Sequence, residues 1–310
     1  MKKVIITAKA HAILERSLTA AGYEVISAPT VNYDGLLQIV EDVCGLVVTT
    51  RLQIDKQMID AAQNLQWIGR LGSGLELIDT AYAASKNINC ISTPEGNRTA
   101  VGEHALGMLL NLYRRITKSY LEVKNKQWLR DENRGIEVTG KTIGIIGFGN
   151  TGGAFAKVLA GFDCNILAYD KYKRDIDNKH VATVSLETIC KEADVISFHL
   201  PLTQETHHFA DNAFFNALAK QPAIVNTSRG NVVDLSALLK ALKYNEVSCA
   251  ALDVLENEKI TELTPIERAI FNDLANHPQV LLTPHIAGYT HESFLKMSEM
   301  LLLKLGIPTN

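Results

Sequence analysis

Three groups of polar side chains in the second half of the chain each follow a short apolar run. Thr227, Ser228 and Arg229 follow residues 223–226. Asp253, Glu256 and Glu258 follow residues 249–252, and His285 follows residues 280–283. A guanidinium fork can grip a carboxylate in two places and polarise a neighbouring carbonyl oxygen. Imidazole exchanges protons near neutral pH, and a carboxylate beside it fixes its orientation. This set suits a carbon that carries a hydroxyl next to a carboxylate, where the hydroxyl proton leaves as hydride departs. No metal is called for, because the histidines and cysteines show no ligand spacing.

Hydride needs an acceptor, and the chain carries the loop for one. Residues 139–153 read TGKTIGIIGFGNTGG, with Gly147, Gly149 and Gly152 forming G-x-G-x-x-G between an apolar run and a helical pattern. Gly147 allows the tight turn, Gly149 lets backbone approach a pyrophosphate, and Gly152 lets helix lie close on strand. The helix N-terminus adds its N–H groups and about half a positive charge. Asp170 ends the next apolar run 21 residues beyond Gly149, where a carboxylate binds the adenosine ribose and repels a 2′-phosphate. Lys171, Lys173 and Arg174 soften that preference without reversing it. The expected cofactor is NAD.

These groups need a parallel sheet, whose strands deliver side chains to one edge. Apolar runs at 142–146, 165–169, 195–200, 223–226, 249–252 and 280–283 predict about six strands fed by intervening helices. The first hundred residues repeat the alternation, with strands at 4–7, 24–27, 46–49, 67–69 and 89–92. Helices are expected at 10–21, 36–43, 56–62 and 78–85. The fold class is therefore α/β, with two doubly wound parallel-sheet domains: a flavodoxin-like one and a Rossmann NAD-binding one. From about Thr99 a long helix is expected, with Val101, Ala105, Met108, Leu112, Ile116 and Tyr120 in a broad apolar stripe that faces the core or a subunit interface. Residues 118–140 read as a surface connection, and 290–305 as a last helix.

Bulk properties agree. The chain has 310 residues, 46% of them hydrophobic and 21% charged, which suits two ordinary globular domains. A net charge of −3 gives no basis for a nucleic acid or an anionic membrane as partner. No apolar stretch reaches the ~18 residues of a membrane span. Five scattered cysteines read as reduced thiols, and a cytoplasmic location is expected.

With these stretches in hand, the chain resembles the D-isomer-specific 2-hydroxyacid dehydrogenases. The matching segments are GKTIGIIGFGNTG, NTSRGNVVD, ALDVLENE and PHIAG, with GRLGSGLELID and PEGNRTAVGEHALGML upstream. The resemblance implies that Arg229, Glu258 and His285 are catalytic. Arg229 would bind the substrate carboxylate and carbonyl, and His285 would donate the proton with Glu258 as partner. It implies cofactor contacts from Gly147, Gly149, Asn150, Thr151, Gly152, Asp170, Leu200, Pro201, Thr227, Ser228, Asp253, His285 and Gly288, with Asp253 on the nicotinamide amide. It also implies a substrate domain of residues 1–98 and 288–310, an NAD-binding domain of 99–287, and closure by hinges near 97–100 and 287–290. Dimers built through the long helix are implied as well.

Within the family the chain is most similar to short D-3-phosphoglycerate dehydrogenases without a regulatory domain. Arg51 and Arg70 match positions that face the substrate phosphate there, and the Gly72-Ser73-Gly74 turn would offer N–H groups to the substrate carboxylate. Glyoxylate/hydroxypyruvate reductases and erythronate-4-phosphate dehydrogenases share most of these motifs. The alternative from another class is an NADH-sensing, corepressor-like binding protein, because corepressors that resemble this family retain similar catalytic residues. Three departures stand out. Asn150 replaces a common arginine, and Lys259 replaces a usual proline. The segment from Glu258 to His285 is long, which shifts weight from Glu258 toward Glu256 and suggests a short helix acting as a lid.

Overall fold

The computed structural model describes residues 2–173 and 175–310, so Arg174 lies outside the described residues. The chain divides into two compact units, Met1–Arg98 with Gly288–Asn310, and Thr99–Ala287.

The first unit alternates β1 (Lys2–Ile6), α1 (Ala12–Ala20), β2 (Tyr23–Ser27), α2 (Tyr33–Leu37), β3 (Val43–Val48), α3 (Lys56–Ala61), β4 (Trp67–Arg70), α4 (Thr80–Ser85) and β5 (Asn89–Ser92). All pairings are parallel, in the order β2-β1-β3-β4-β5. This is the flavodoxin-like arrangement. β3 is buried at all six positions, as expected for a strand covered on both faces. The 36–43 helix is misplaced by its own N-cap. The Asn32 side chain accepts from Gly35 N and starts the helix at Tyr33, which releases Val43 to the strand.

Helix α5 (Pro94–Tyr113) begins five residues before Thr99, and it does not continue to Tyr120. Arg115 takes a left-handed conformation (φ 53°), and a separate helix, α6 (Ile116–Lys124), follows. The expected stripe therefore splits. Ala105, Met108 and Leu109 are buried on α5, whereas Ile116 and Tyr120 stand exposed on α6.

The second unit continues with β6 (Thr142–Ile146), α7 (Asn150–Leu159), β7 (Asn165–Tyr169), β8 (Val181–Thr183), α8 (Leu186–Glu192), β9 (Val195–Phe198), α9 (Asn212–Asn216), β10 (Ala223–Asn226), α10 (Leu235–Lys243), β11 (Cys249–Leu252), α11 (Pro265–Ala275) and β12 (Val280–Leu282). Its sheet has seven parallel strands in the order β12-β11-β10-β9-β6-β7-β8. The order reverses between β6 and β9, the doubly wound switch point where such sheets bind ligands. The seventh strand, β8, is a three-residue edge too short to register as an apolar run. Two apolar layers cover the faces, one centred on Phe198, Phe215 and Leu238, the other on Leu109, Ile145 and Phe155. The last helix, α12 (His291–Lys304), belongs to the first unit and buries Leu301 against Gly69 of β4.

Candidate active site

The glycine loop has the geometry its spacing implies. Gly147 sits at φ 90°, and a Cβ there would come within 2.6 Å of the His199 carbonyl oxygen. A Cβ on Gly152 would lie 2.2 Å from the Gly147 oxygen, so only glycine lets α7 start this close to β6. Gly149 is the N-cap of α7, without a side-chain cap, and nothing lies within 4 Å of where its Cβ would be. This ten-residue helix thus starts with no side-chain cap, and its first N–H groups could donate to a pyrophosphate. Asn150, exposed, is the first residue of α7, and Thr151 is the second.

Asp170 stands at the end of β7. It accepts from Phe148 N at 2.8 Å within the glycine loop, and from Tyr172 N and Lys173 N. Lys171 and Lys173 behind it are engaged. Lys171 pairs with Glu205 at 2.7 Å, and Lys173 Nζ donates to Phe148 O.

Beyond β9, a residue the sequence reading passed over joins the loop. His199 is buried, with Nε2 2.9 Å from Ser197 Oγ and Nδ1 3.2 Å from Thr151 Oγ1. Burial pushes its pKa down to about 3, so it is neutral at physiological pH. The expected run at 195–200 hid it; only because β9 ends at Phe198 does it follow a strand, as Thr227 and Asp253 do. Leu200 and Pro201 follow it, and Leu200 lines the space beside Gly147.

Beyond β10, Asn226 organises the turn that presents Arg229. Its Oδ1 accepts from Ser228 N and Oγ, and its Nδ2 donates to Arg229 O. Arg229 donates from Nη1 to Ser228 O at 2.7 Å. Thr227 Oγ1 is buried without a hydrogen-bond partner among the described residues. An orphaned hydroxyl at this edge fits a polar ligand group.

Asp253 follows β11 and is buried. Its carboxylate accepts from Thr283 Oγ1, Ile286 N (2.9 Å) and Ala287 N (2.8 Å), and lies 3.4 Å from His104 Nε2 on α5. Burial alone would raise its pKa. The hydrogen bonds from His104, Thr283 and the two main-chain N–H groups outweigh that and hold it below the usual carboxylate range. In the structure this carboxylate therefore shapes the turn that carries His285. That residue has φ 54°, an uncommon left-handed position, and its N–H donates to Asp253 O at 2.7 Å. Its imidazole Nδ1 lies 2.9 Å from both carboxylate oxygens of Glu258.

Glu256 is occupied elsewhere. It accepts from Leu235 N at 2.8 Å and from His208 Nε2 at 3.1 Å, at the start of α10. The His208 ring also lies against that of His207, with centroids 4.1 Å apart.

In the first unit, Arg51 donates from Nη2 to Thr7 O at 2.6 Å, beyond β1. Arg70, ending β4, donates from Nη1 to Leu71 O at 2.6 Å, and its guanidinium lies over Gly72, where a Cβ would be 1.3 Å from Nη1. Gly72 N–H is given to Thr93 Oγ1, and Ser73 Oγ donates to Asn97 Oδ1. Gly288 packs against Asn97, and Gly74 completes the turn.

Comparison with known proteins agrees with this geometry. A family model described as D-isomer specific 2-hydroxyacid dehydrogenase, NAD binding domain, matches residues 106–287. The chain belongs to the D-isomer specific 2-hydroxyacid dehydrogenases. It is an NAD-dependent oxidoreductase of that family. It is 34% identical to the hydroxypyruvate reductase of Thermotoga maritima over 286 residues, covering 91% of each chain. It is also 34% identical to the D-3-phosphoglycerate dehydrogenase of Archaeoglobus fulgidus over 278 residues, which are 89% of this chain and 51% of that one. Among solved structures, the D-lactate dehydrogenase of Aquifex aeolicus in complex with NAD and lactic acid superposes with a TM-score of 0.86 at 26% identity, over 98% of this chain and 94% of that one. Among the described residues no helix is long and apolar enough to cross a membrane, and no cluster of His, Cys, Asp and Glu is arranged to hold a metal.

Proposed function

We propose that the enzyme reduces a short 2-oxo acid bearing a phosphate, with 3-phosphohydroxypyruvate and D-3-phosphoglycerate as the pair it interconverts. The observation that carries this reading is the placement of Arg51 and Arg70. Arg51 follows β3 with its guanidinium on Thr7 O beyond β1, and Arg70 ends the neighbouring β4, so both residues stand at the carboxyl edge of the five-stranded sheet. Two planar forks at one edge favour a dianionic phosphate over a neutral hydroxymethyl group. Ser73 and Gly74 offer main-chain N–H groups to the substrate carboxylate, Gly72's being held by Thr93.

Arg229 binds the carboxylate and the reacting oxygen. Protonated His285 donates from its imidazole to that oxygen, and Glu258 fixes the ring and stabilises its cation. NADH, when bound, supplies the hydride. The α7 N-terminus, Thr227 and Asp170 hold the cofactor, while Asp253 fixes the turn on which His285 stands. The units serve as substrate domain and NAD-binding domain. Two copies associate through the exposed apolar face of α6, where Ile116, Tyr120 and Val123 repeat at helical spacing.

A second reading, reduction of unphosphorylated hydroxypyruvate, is favoured by the near-complete mutual coverage with the Thermotoga enzyme. Steady-state rates separate the two. The phosphorylated acid should have the higher kcat/KM, and Arg51→Ala should cut it by ~10- to 100-fold, the effect of losing about 1.5–3 kcal/mol of charged hydrogen bonding. Hydroxypyruvate turnover should change little. A wild-type preference for hydroxypyruvate, unaltered by Arg51→Ala, selects the second reading.

A further inference from the structure

Glu258 is exposed and follows β11 by six residues, yet its carboxylate meets His285 squarely. Something must hold the loop. On the near side, Gly230 abuts it so tightly that a Cβ would lie 1.9 Å from Leu255 O, and Glu256 is pinned to the α10 N-terminus and His208. On the far side the holding group is Asn257. Its Oδ1 accepts from Lys259 N at 3.0 Å, closing an Asx turn across Glu258. Its Nδ2 donates to Glu267 Oε1 at 3.2 Å.

Glu267 is itself fixed. Its Oε2 accepts from Thr264 N at 2.7 Å in a capping box that starts α11. That helix buries Leu274 in the core beside α10, so the long segment after Glu258 is the crossover between β11 and β12, anchored on the sheet. Its packing at Leu274 gives the loop an anchor point on the sheet.

We propose that Asn257 is a positioning residue. Through its side chain, the fixed N-terminus of α11 sets the backbone on both sides of Glu258, and so the contact of Glu258 with His285. The proposal rests on the reading of Glu258 and His285 as the acid–base pair. It assigns a catalytic consequence to a residue that touches neither substrate nor cofactor, and a purpose to α11.

The backbone offers a rescue. Lys259 has φ −83°, within reach of the proline ring, and its N–H is the donor Asn257 holds. Proline at 259 lacks that N–H but restricts the same backbone covalently, and it biases residue 258 toward an extended conformation.

The test uses the full chain with NADH and the better of the two 2-oxo acids above. Asn257→Ala should lower kcat by about 10-fold, since a small misplacement at a reacting centre has effects of this order or larger. KM for NADH and the Tm should stay near wild type. Asn257→Ala with Lys259→Pro should regain most of the lost kcat, while Lys259→Pro alone stays near wild type. Combining Asn257→Ala with Glu258→Gln should lower kcat no further than Glu258→Gln alone, because both act through one contact. Wild-type kcat in Asn257→Ala beside an impaired Glu258→Gln overturns the tether alone. Wild-type kcat in Glu258→Gln overturns the acid–base reading and the tether with it. A loss that proline does not restore also overturns the proposal.

Discussion

At the scale of single residues, the site is a set of side chains whose jobs are set by what else they touch. Glu256 and Glu258 are two residues apart and chemically alike, and spacing could not choose between them. Geometry does: one is bound to a helix start and His208, the other to His285. Asp253 was legible as a functional carboxylate but not as the group that folds the His285 turn, because its partners come from residues 30 or more positions away. His199 was missed for a related reason. A histidine after a strand looks ordinary until Ser197 and Thr151 are seen on either side of its ring. Its burial has a measurable consequence. The folded chain binds no proton there until about pH 3, whereas the unfolded chain binds one below about 6.5. Stability from this group is therefore complete above pH 6.5 and falls with pH between 6.5 and 3, by about 1.4 kcal/mol per pH unit. Urea unfolding at pH 7.5 and pH 5 should show His199→Gln losing less stability on acidification than wild type, by about 2 kcal/mol. An equal loss in both proteins would mean that His199 is not buried neutral.

At the scale of elements, strands were the most legible, since short apolar runs bounded by turn residues have few other readings. Boundaries that depended on one hydrogen bond were not. Asn32 capping Gly35 N moved a helix, and the left-handed Arg115 cut another in two. That cut matters because α6 has no buried residue, although Ile116, Tyr120, Leu121 and Val123 lie on it. An amphipathic nine-residue helix with its apolar side in water calls for a partner. Light scattering coupled to gel filtration should give the mass of a dimer. Ile116→Glu with Tyr120→Glu should shift it to the monomer without changing the Tm of the folded chain by more than a few degrees. A monomeric wild type, or a double variant that remains dimeric, would place association elsewhere or nowhere.

At the scale of the whole molecule, the winding of the second unit's sheet explains why residues this dispersed in sequence reach one edge of that sheet. Six candidate residues of the second unit follow the carboxyl ends of strands: Gly147 after β6, Asp170 after β7, His199 after β9, Arg229 after β10, Asp253 after β11 and His285 after β12. The winding delivers them to one edge whatever their separation in the chain. Family membership was legible because these strand ends carry the motifs. The acid itself was not, because in the proposed reading it turns on a few side chains such as Arg51 and Arg70, whose direction the sequence does not encode. The central claim is that His285, held by Glu258, supplies the proton during reduction. Its most direct test is single-turnover oxidation of bound NADH by the 2-oxo acid in His285→Gln. The rate should fall by about 10²- to 10⁴-fold while NADH affinity, read from its fluorescence, stays within ~3-fold of wild type. A wild-type rate in that variant would contradict the claim.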